Sequence, residues 1–354
     1  MNHPEERPRI FGTGLVALDL VIGLDSEAPI HSWAGGTCGN VLTIMRYLGW
    51  DAYPIARMNG DPASERVRAD MAKWGVKLDF ANCAPTGHTP IIIQQIKRAR
   101  DGSPTHRFLW TCPHCGKRLP SYRPVTQDAV EDVALALPGS AVFFMDRLSR
   151  AALTLAAEAA QNGAVVLFEP SGKSDEKQFA EAMKIAHIVK YSDQRLSEAG
   201  GAMTASSATL LEIQTLGSQG LRYRHRLDGQ ISDWSICPAF PAPSLVDTCG
   251  SGDWCTAGIL ALGAKQGLSG LKKMDAQGLS KALRYGQALA AWNCAFEGAR
   301  GGMYLVEPRE FQNQINAIMN GRPVLRTVVR HESTEPSVAC PACPPSTEHI
   351  LSAS

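Results

Sequence analysis

The stretch Leu245–Gly258 reads LVDTCGSGDWCTAG. Gly250, Ser251 and Gly252 stand there between two acids, Asp247 and Asp253, and an apolar run follows. Glycine costs backbone entropy wherever it is fixed, so this pair marks a sharp turn or a close approach. The run after it predicts a helix that opens at the glycines. A helix N-terminus presents unpaired N–H groups and the positive end of the helix dipole. With almost no side chain in the way, an anion can reach those groups. A carboxylate beside a bound phosphate is electrostatically unfavourable, so Asp253 suggests a chemical role, that of taking a proton from a hydroxyl that attacks a phosphoryl group. Taken alone, the residues also describe a plain helix start with an acid in its first turn. They are not a Walker A loop, because no Gly-Lys-Ser/Thr follows.

Outward from this turn, buried runs alternate with helices. From 141 on, AVFFM, AVVLFEP, HIVKYS and TLLEIQTLG predict strands, and RAALTLAAEAAQNG and EKQFAEAMKIA predict helices between them. That alternation is the mark of βαβ units and a parallel sheet. Near the N-terminus, RIFGTGLVALDLVIG is a β-rich opening with a break expected at Asp19. GGTCGNVLTIMRYLGW follows as a glycine turn and an amphipathic helix with Val41, Ile44, Met45 and Leu48 on one face. Between 89 and 110, two strand-like runs around Asp101-Gly102 predict a hairpin, polar enough to be a flap. The last helices expected are SGDWCTAGILALGAKQG and GLSKALRYGQALAAWNCAFEG.

The 354 residues, 44% hydrophobic and 19% charged, suit a soluble globular chain with a sizeable core. A net charge of +1 offers no electrostatic argument for nucleic acid or an anionic membrane. The opening MNHPEERPRI lacks the apolar centre of a signal peptide, and a cytoplasmic location is expected. From 326 to 354 the chain is rich in Pro, Ser and Thr without periodicity, an irregular tail.

The segment VDTCGSGDWCTAG resembles the second signature of the ribokinase-like (PfkB) carbohydrate kinases, with Ser251 for a common Ala. WAGGTCGN, a helix, LGW and ARMNGD resemble the family's first signature, and VKYSD and TLGSQG its nucleotide-side strands. The resemblance implies an α/β, Rossmann-type three-layer sandwich over 9–325 with a small β-strand lid at about 89–122. It implies ATP-dependent phosphorylation of a sugar's primary hydroxyl, with Asp253 as base and Gly250, Ser251 and Gly252 as the anion hole. Asp19, Gly36, Thr37 and Asn40 fall on the sugar-binding positions, although Asp19 could also be a strand-end cap and Asn40 an N-cap. Ser192, Thr215, Gly217, Gly220 and Gln287 fall on the nucleotide side. Magnesium is implied with ATP, a potassium ion beside Asp247, and a homodimer through the lid. A nucleoside or other small-alcohol kinase, or a catalytically silent metabolite-binding relative, are the alternatives.

One departure concerns the metal. Where the family carries Asn-x-x-Glu after the VK strand, with the Glu organising magnesium waters, this chain has Ser192 and Arg195. Arg195 reverses the charge, and Glu169 in LFEPSG stands at a position often held by Asp. The other departure is the cysteines. Cys112 and Cys115 lie in CPHCG and Cys340 and Cys343 in CPAC, which predicts a shared four-thiolate zinc site or, alternatively, redox-active or inert thiols.

Overall fold

The computed structural model describes residues 6–324 apart from 25–29, 101, 103, 113–114, 173–174, 197–202, 204–205 and 227–228. The chain begins β1 (Arg9–Thr13), β2 (Ala17–Ile22), β3 (His31–Gly35), α1 (Thr37–Tyr47), β4 (Asp51–Met58), α2 (Pro62–Lys73) and β5 (Ala81–Cys83). It continues β6 (Ile91–Arg98), β7 (Pro104–Leu109), α3 (Ala129–Ala136), β8 (Val142–Met145), α4 (Arg150–Gln161), β9 (Val165–Phe168), α5 (Glu176–Ile185), β10 (Ile188–Ser192) and β11 (Leu211–Thr215). A short 3-10 turn at Gly217–Gln219 leads to β12 (Leu221–His225) and β13 (Ser235–Cys237). The remaining elements are α6 (Ser251–Gly263), α7 (Gly267–Lys272), α8 (Ala276–Asn293), α9 (Gly301–Leu305) and α10 (Pro308–Met319).

Nine strands form one sheet in the order β13-β12-β11-β10-β9-β8-β1-β4-β5. From β5 to β11 all neighbours run parallel, and β12 and β13 add antiparallel strands at one edge. Successive side chains of a strand face opposite sides, and here each side has its own core. Ile10, Val142 and Phe144 pack with α1, α6 and α8, whereas Phe11, Phe143 and Met145 pack with α3, α4 and α5. This is the expected three-layer α/β sandwich. Among the described residues, no helix is long and apolar enough to cross a membrane.

A second sheet, in the order β3-β2-β6-β7, stands apart from the first. The hairpin expected at 89–110 supplies β6 and β7, paired from Ile93–Leu109 to Arg98–Pro104. Half of the small sheet, however, comes from β2 and β3, well before the 89–122 segment. The chain break expected at Asp19 falls instead at Gly14, where φ is 146° and a Cβ would lie 1.7 Å from Asp146 Oδ1. Asp19 therefore sits inside β2, paired with Trp33 and Ile92, and is not a strand-end cap. The helical region also extends beyond the last helix that the sequence pattern predicts. Pro308 opens α10, and Phe311, Gln314, Ile315 and Ile318 bury one face of it at helical spacing.

Candidate active site

Parallel strands direct their carboxyl ends to one edge of the sheet, where α/β proteins bind ligands. Asp146 follows β8 at that edge, Glu169 follows β9, and Ser192 and Thr215 end β10 and β11. The N-termini of α1 and α6 meet there as well. Gly36 is the residue before α1, with φ 74°, and a Cβ on it would lie 2.4 Å from the Leu15 carbonyl oxygen. Gly250 is the residue before α6, also with φ 74°, and a Cβ there would lie 2.5 Å from Ala299 Cα. At both turns the left-handed backbone and the absence of space require glycine.

Asp253 lies in the first turn of α6, half-buried. Asn40 Nδ2 donates to its Oδ2 at 2.8 Å, so the two glycine turns face each other through these side chains. Burial pushes the Asp253 carboxyl up to about 8, aided by the charge of Glu169 and opposed by Asn40, Lys190 and Arg195. A carboxyl raised to this range is matched to accepting a proton near neutral pH.

Lys190, which is not among the residues expected at the site, is buried at 2% exposure and ion-paired to Glu169 at 2.7 Å. Thr256 Oγ1 donates to the other Glu169 oxygen at 2.6 Å. Burial opposes the Lys190 charge, but Glu169 outweighs it and holds the ammonium protonated. Its Nζ would be 3.9 Å from a Cβ placed on Gly252, so a positive charge lies under the glycine turn. The signal was legible: a lysine in the middle of a strand as buried as IVKYS needs a partner or a function.

On the opposite side, Asp19 Oδ2 accepts from Gly36 N at 3.4 Å, while Oδ1 is buried without a protein partner. Burial pushes this carboxyl up to about 7, against the Gly36 N–H and the charge of Arg300. Arg300 is 1% exposed, and its Nε donates to Asn40 Oδ1 at 3.2 Å. Its Nη2 donates to Asp70 Oδ2 at 2.8 Å and to the Ala34 carbonyl, and Tyr304 Oη donates to Asp70 Oδ1 at 2.8 Å. A cation in the glycine-rich FEGARGGMY was the only sequence sign of it. Thr37 begins α1 at the same turn.

Asp247 is 1% exposed and its carboxylate is fully engaged. Cys249 N donates to Oδ1 at 3.0 Å and His106 Nδ1 lies 3.5 Å from the same atom. Gln94 Nε2 and Gly298 N donate to Oδ2 at 2.6 and 2.9 Å. Burial alone would raise this group, but these bonds hold it below the ordinary carboxylate range. Asp247 thus ties two strands of the small sheet to the start of the glycine turn.

The nucleotide-side residues are more dispersed. Gly217 (φ 58°) and Gly220 (φ 98°) bracket the 3-10 turn that joins β11 to β12, beside Thr215. A Cβ on Gly220 would meet the Cys237 carbonyl oxygen at 2.3 Å, so packing alone already requires this glycine. Ser192 Oγ accepts from Gln194 N at 3.2 Å, closing the turn after β10. Gln287 is buried on α8 with Nε2 3.7 Å from Cys255 Sγ of α6. Arg195 is exposed, and its charge acts on both Asp253 and Asp146, lowering carboxyls that burial raises.

Among the described residues no metal centre is found at the cysteines. Cys112 is buried and Cys115 half-buried across a turn in which Gly116 N donates to the Cys112 carbonyl at 2.9 Å. Cys340 and Cys343 lie outside the described residues. Among the described residues no group of three or more His, Cys, Asp or Glu side chains could hold a metal ion. The expected four-thiolate zinc centre is therefore without support.

Residues 25–304 match the pfkB family carbohydrate kinases. The chain belongs to that family. Its members are phosphotransferases that act on an alcohol group, and the protein is an enzyme of this class. Among solved structures it is similar to ribokinase from Arabidopsis thaliana complexed with ribose and ATP, at 15% identity and a TM-score of 0.64, covering 87% of this chain and 99% of that one. Fructokinase with bound ATP from Xylella fastidiosa is similar at 18% identity and a TM-score of 0.66, over 87% and 98% of the two chains. Burkholderia thailandensis nucleoside kinase in complex with inosine is similar at 16% identity and 0.64, over 89% and 99%. No curated protein matches the chain. At these identities the structural likeness speaks for the fold, and the chemistry rests on the residues themselves.

Proposed function

We propose that this pfkB enzyme transfers the γ-phosphoryl group of ATP to a primary hydroxyl of a sugar, with Asp253 as general base. The observation that carries the reading is the hydrogen bond from Asn40 to Asp253. It sets a sugar-side residue against the acid of the phosphate-side turn, so a hydroxyl held by the first would lie at the second.

In this reading the orphaned Asp19 Oδ1 accepts a substrate hydroxyl, because a buried acceptor without a partner costs free energy until one is supplied. Gly36 and Thr37 shape the backbone beside it. Asp253 then takes the proton of the attacking hydroxyl. The N–H groups of Gly250, Ser251 and Gly252 receive the phosphoryl oxygens, and Lys190 adds a positive charge beneath them. Thr215, Gly217, Gly220, Ser192 and Gln287 would line the nucleotide.

Magnesium, typical of the family, neutralises the bridging phosphates when bound with ATP. Glu169 is the carboxylate suited to its bound waters, since each oxygen keeps a lone pair beyond its bonds to Lys190 and Thr256. Arg195 does not fit that role and would face the phosphates directly. A nucleoside as acceptor is the second reading, favoured by the inosine-bound relative. Turnover of ATP against a panel of pentoses, hexoses and nucleosides tests the proposal. One strongly preferred sugar supports it, a nucleoside moves the substrate class, and silence with every acceptor overturns it.

A further inference from the structure

We propose that Arg300 is a positioning residue, which fixes the Asn40 amide so that its N–H bond is always presented to Asp253. The inference rests on the reading of Asp253 as the base. Its ground is a chain of hydrogen bonds running from α2 to α6. Asp70 accepts from Arg300 Nη2, from Tyr304 Oη and from Ala34 N, each at 2.8 Å, which immobilises the guanidinium. The Ala34 carbonyl takes a further Nη2 contact. Arg300 Nε is then left to donate to Asn40 Oδ1 at 3.2 Å, and Asn40 Nδ2 to Asp253 at 2.8 Å.

A terminal amide has two nearly isosteric orientations that exchange its oxygen and nitrogen. With Asp253 ionised, the reversed orientation would set Asn40 Oδ1 against a carboxylate and its NH2 against a guanidinium N–H. Both contacts would be repulsive. The arginine therefore selects one orientation from a distance, and a charge-assisted hydrogen bond on the base results. Lysine could not do the same, because a guanidinium offers several donors in a fixed plane and an ammonium does not.

The bond matters because Asp253 sits among opposing influences. Glu169 disfavours its negative charge, Lys190 and Arg195 favour it, and the neighbouring Cys38 and Cys249 thiols are kept neutral by burial and by the Asp253 charge. Burial already pushes the carboxyl up to about 8. Without a fixed donor it would rise further, and less of it would be ionised near neutral pH.

The test is a titration of the Asp253 side-chain carboxyl by carbon-13 NMR in the full-length protein. Wild type would be compared with Asn40→Ala, Arg300→Met and the double variant. Asn40→Ala and Arg300→Met are each expected to raise the midpoint by about one pH unit, the size of a single charge-assisted hydrogen bond. The double variant is expected to move no further than Asn40→Ala alone. An unchanged midpoint in Arg300→Met, or additive shifts in the double variant, would overturn the proposal. Arg300→Lys keeps a cation against Asp70 and is expected to show the same rise, so it carries the test if the Met variant does not fold. The titration needs no turnover, so an enzyme silent toward every acceptor would sink the kinase reading and leave this one standing or falling by itself.

Discussion

Asn40 Nδ2 and Asp253 Oδ2 lie 2.8 Å apart although 213 positions separate them in sequence. Neither glycine turn is a site by itself. Each is a helix start, and each would be explained by backbone geometry alone. Facing each other, in the proposed reading, they supply an acceptor for a hydroxyl, donors for an anion and a carboxyl raised into the range where it can exchange a proton.

The raised carboxyl has a consequence for stability. With a folded value of about 8 and an unfolded value near 3.8, the folded protein holds a proton that the unfolded chain releases between those limits. Stability is therefore lost as pH rises from about 4 toward 8. Asp253→Asn removes this loss. We expect the variant to be more stable than wild type at pH 8 by on the order of a few kcal/mol, hence to melt higher, and the difference to close on acidification toward pH 4. Melting curves across that range check it, and equal melting at pH 8 would contradict it.

Lys190→Met leaves Glu169 buried without its cation. Removing one partner of a buried pair costs about 3–5 kcal/mol. We expect a melting temperature lower by about 10 °C, and substantial recovery in the double variant Lys190→Met with Glu169→Gln. Thermal unfolding of the single and double variants decides this, and a single variant as stable as wild type would refute the pairing.

Much of this arrangement was legible in the sequence. The alternation of apolar runs and helices pointed to the parallel sheet, and the two glycine turns marked the starts of α1 and α6. The residues behind the site were not legible. Arg300 and Asp70 come together only because α2 packs along β3, a long-range contact that leaves no local pattern. Gly14 carries a signal that its neighbours in sequence do not explain, since the turn it makes is set by Asp146 from a different strand. Asp247 is similar: sequence order marks it as the start of the phosphate turn, but only the folded small sheet brings Gln94 and His106 to its carboxylate.

Asp19→Asn tests the sugar side. The amide keeps the shape but exchanges one acceptor for a donor at the orphaned oxygen. We expect kcat/KM to fall about 100-fold, mainly through KM, because a site built for a hydroxyl penalises the wrong partner by several kcal/mol. The fold is expected to be retained, and steady-state kinetics with the preferred acceptor would show it. An unchanged KM would remove Asp19 from the substrate site.

The central claim is that Asp253 accepts the proton from the attacking hydroxyl. The most direct measurement is ATP turnover by wild type and Asp253→Asn with the preferred acceptor, alongside ATP binding by both. The account predicts that kcat falls by about 100- to 10,000-fold in the variant while ATP still binds. Turnover by Asp253→Asn within a few-fold of wild type would contradict it.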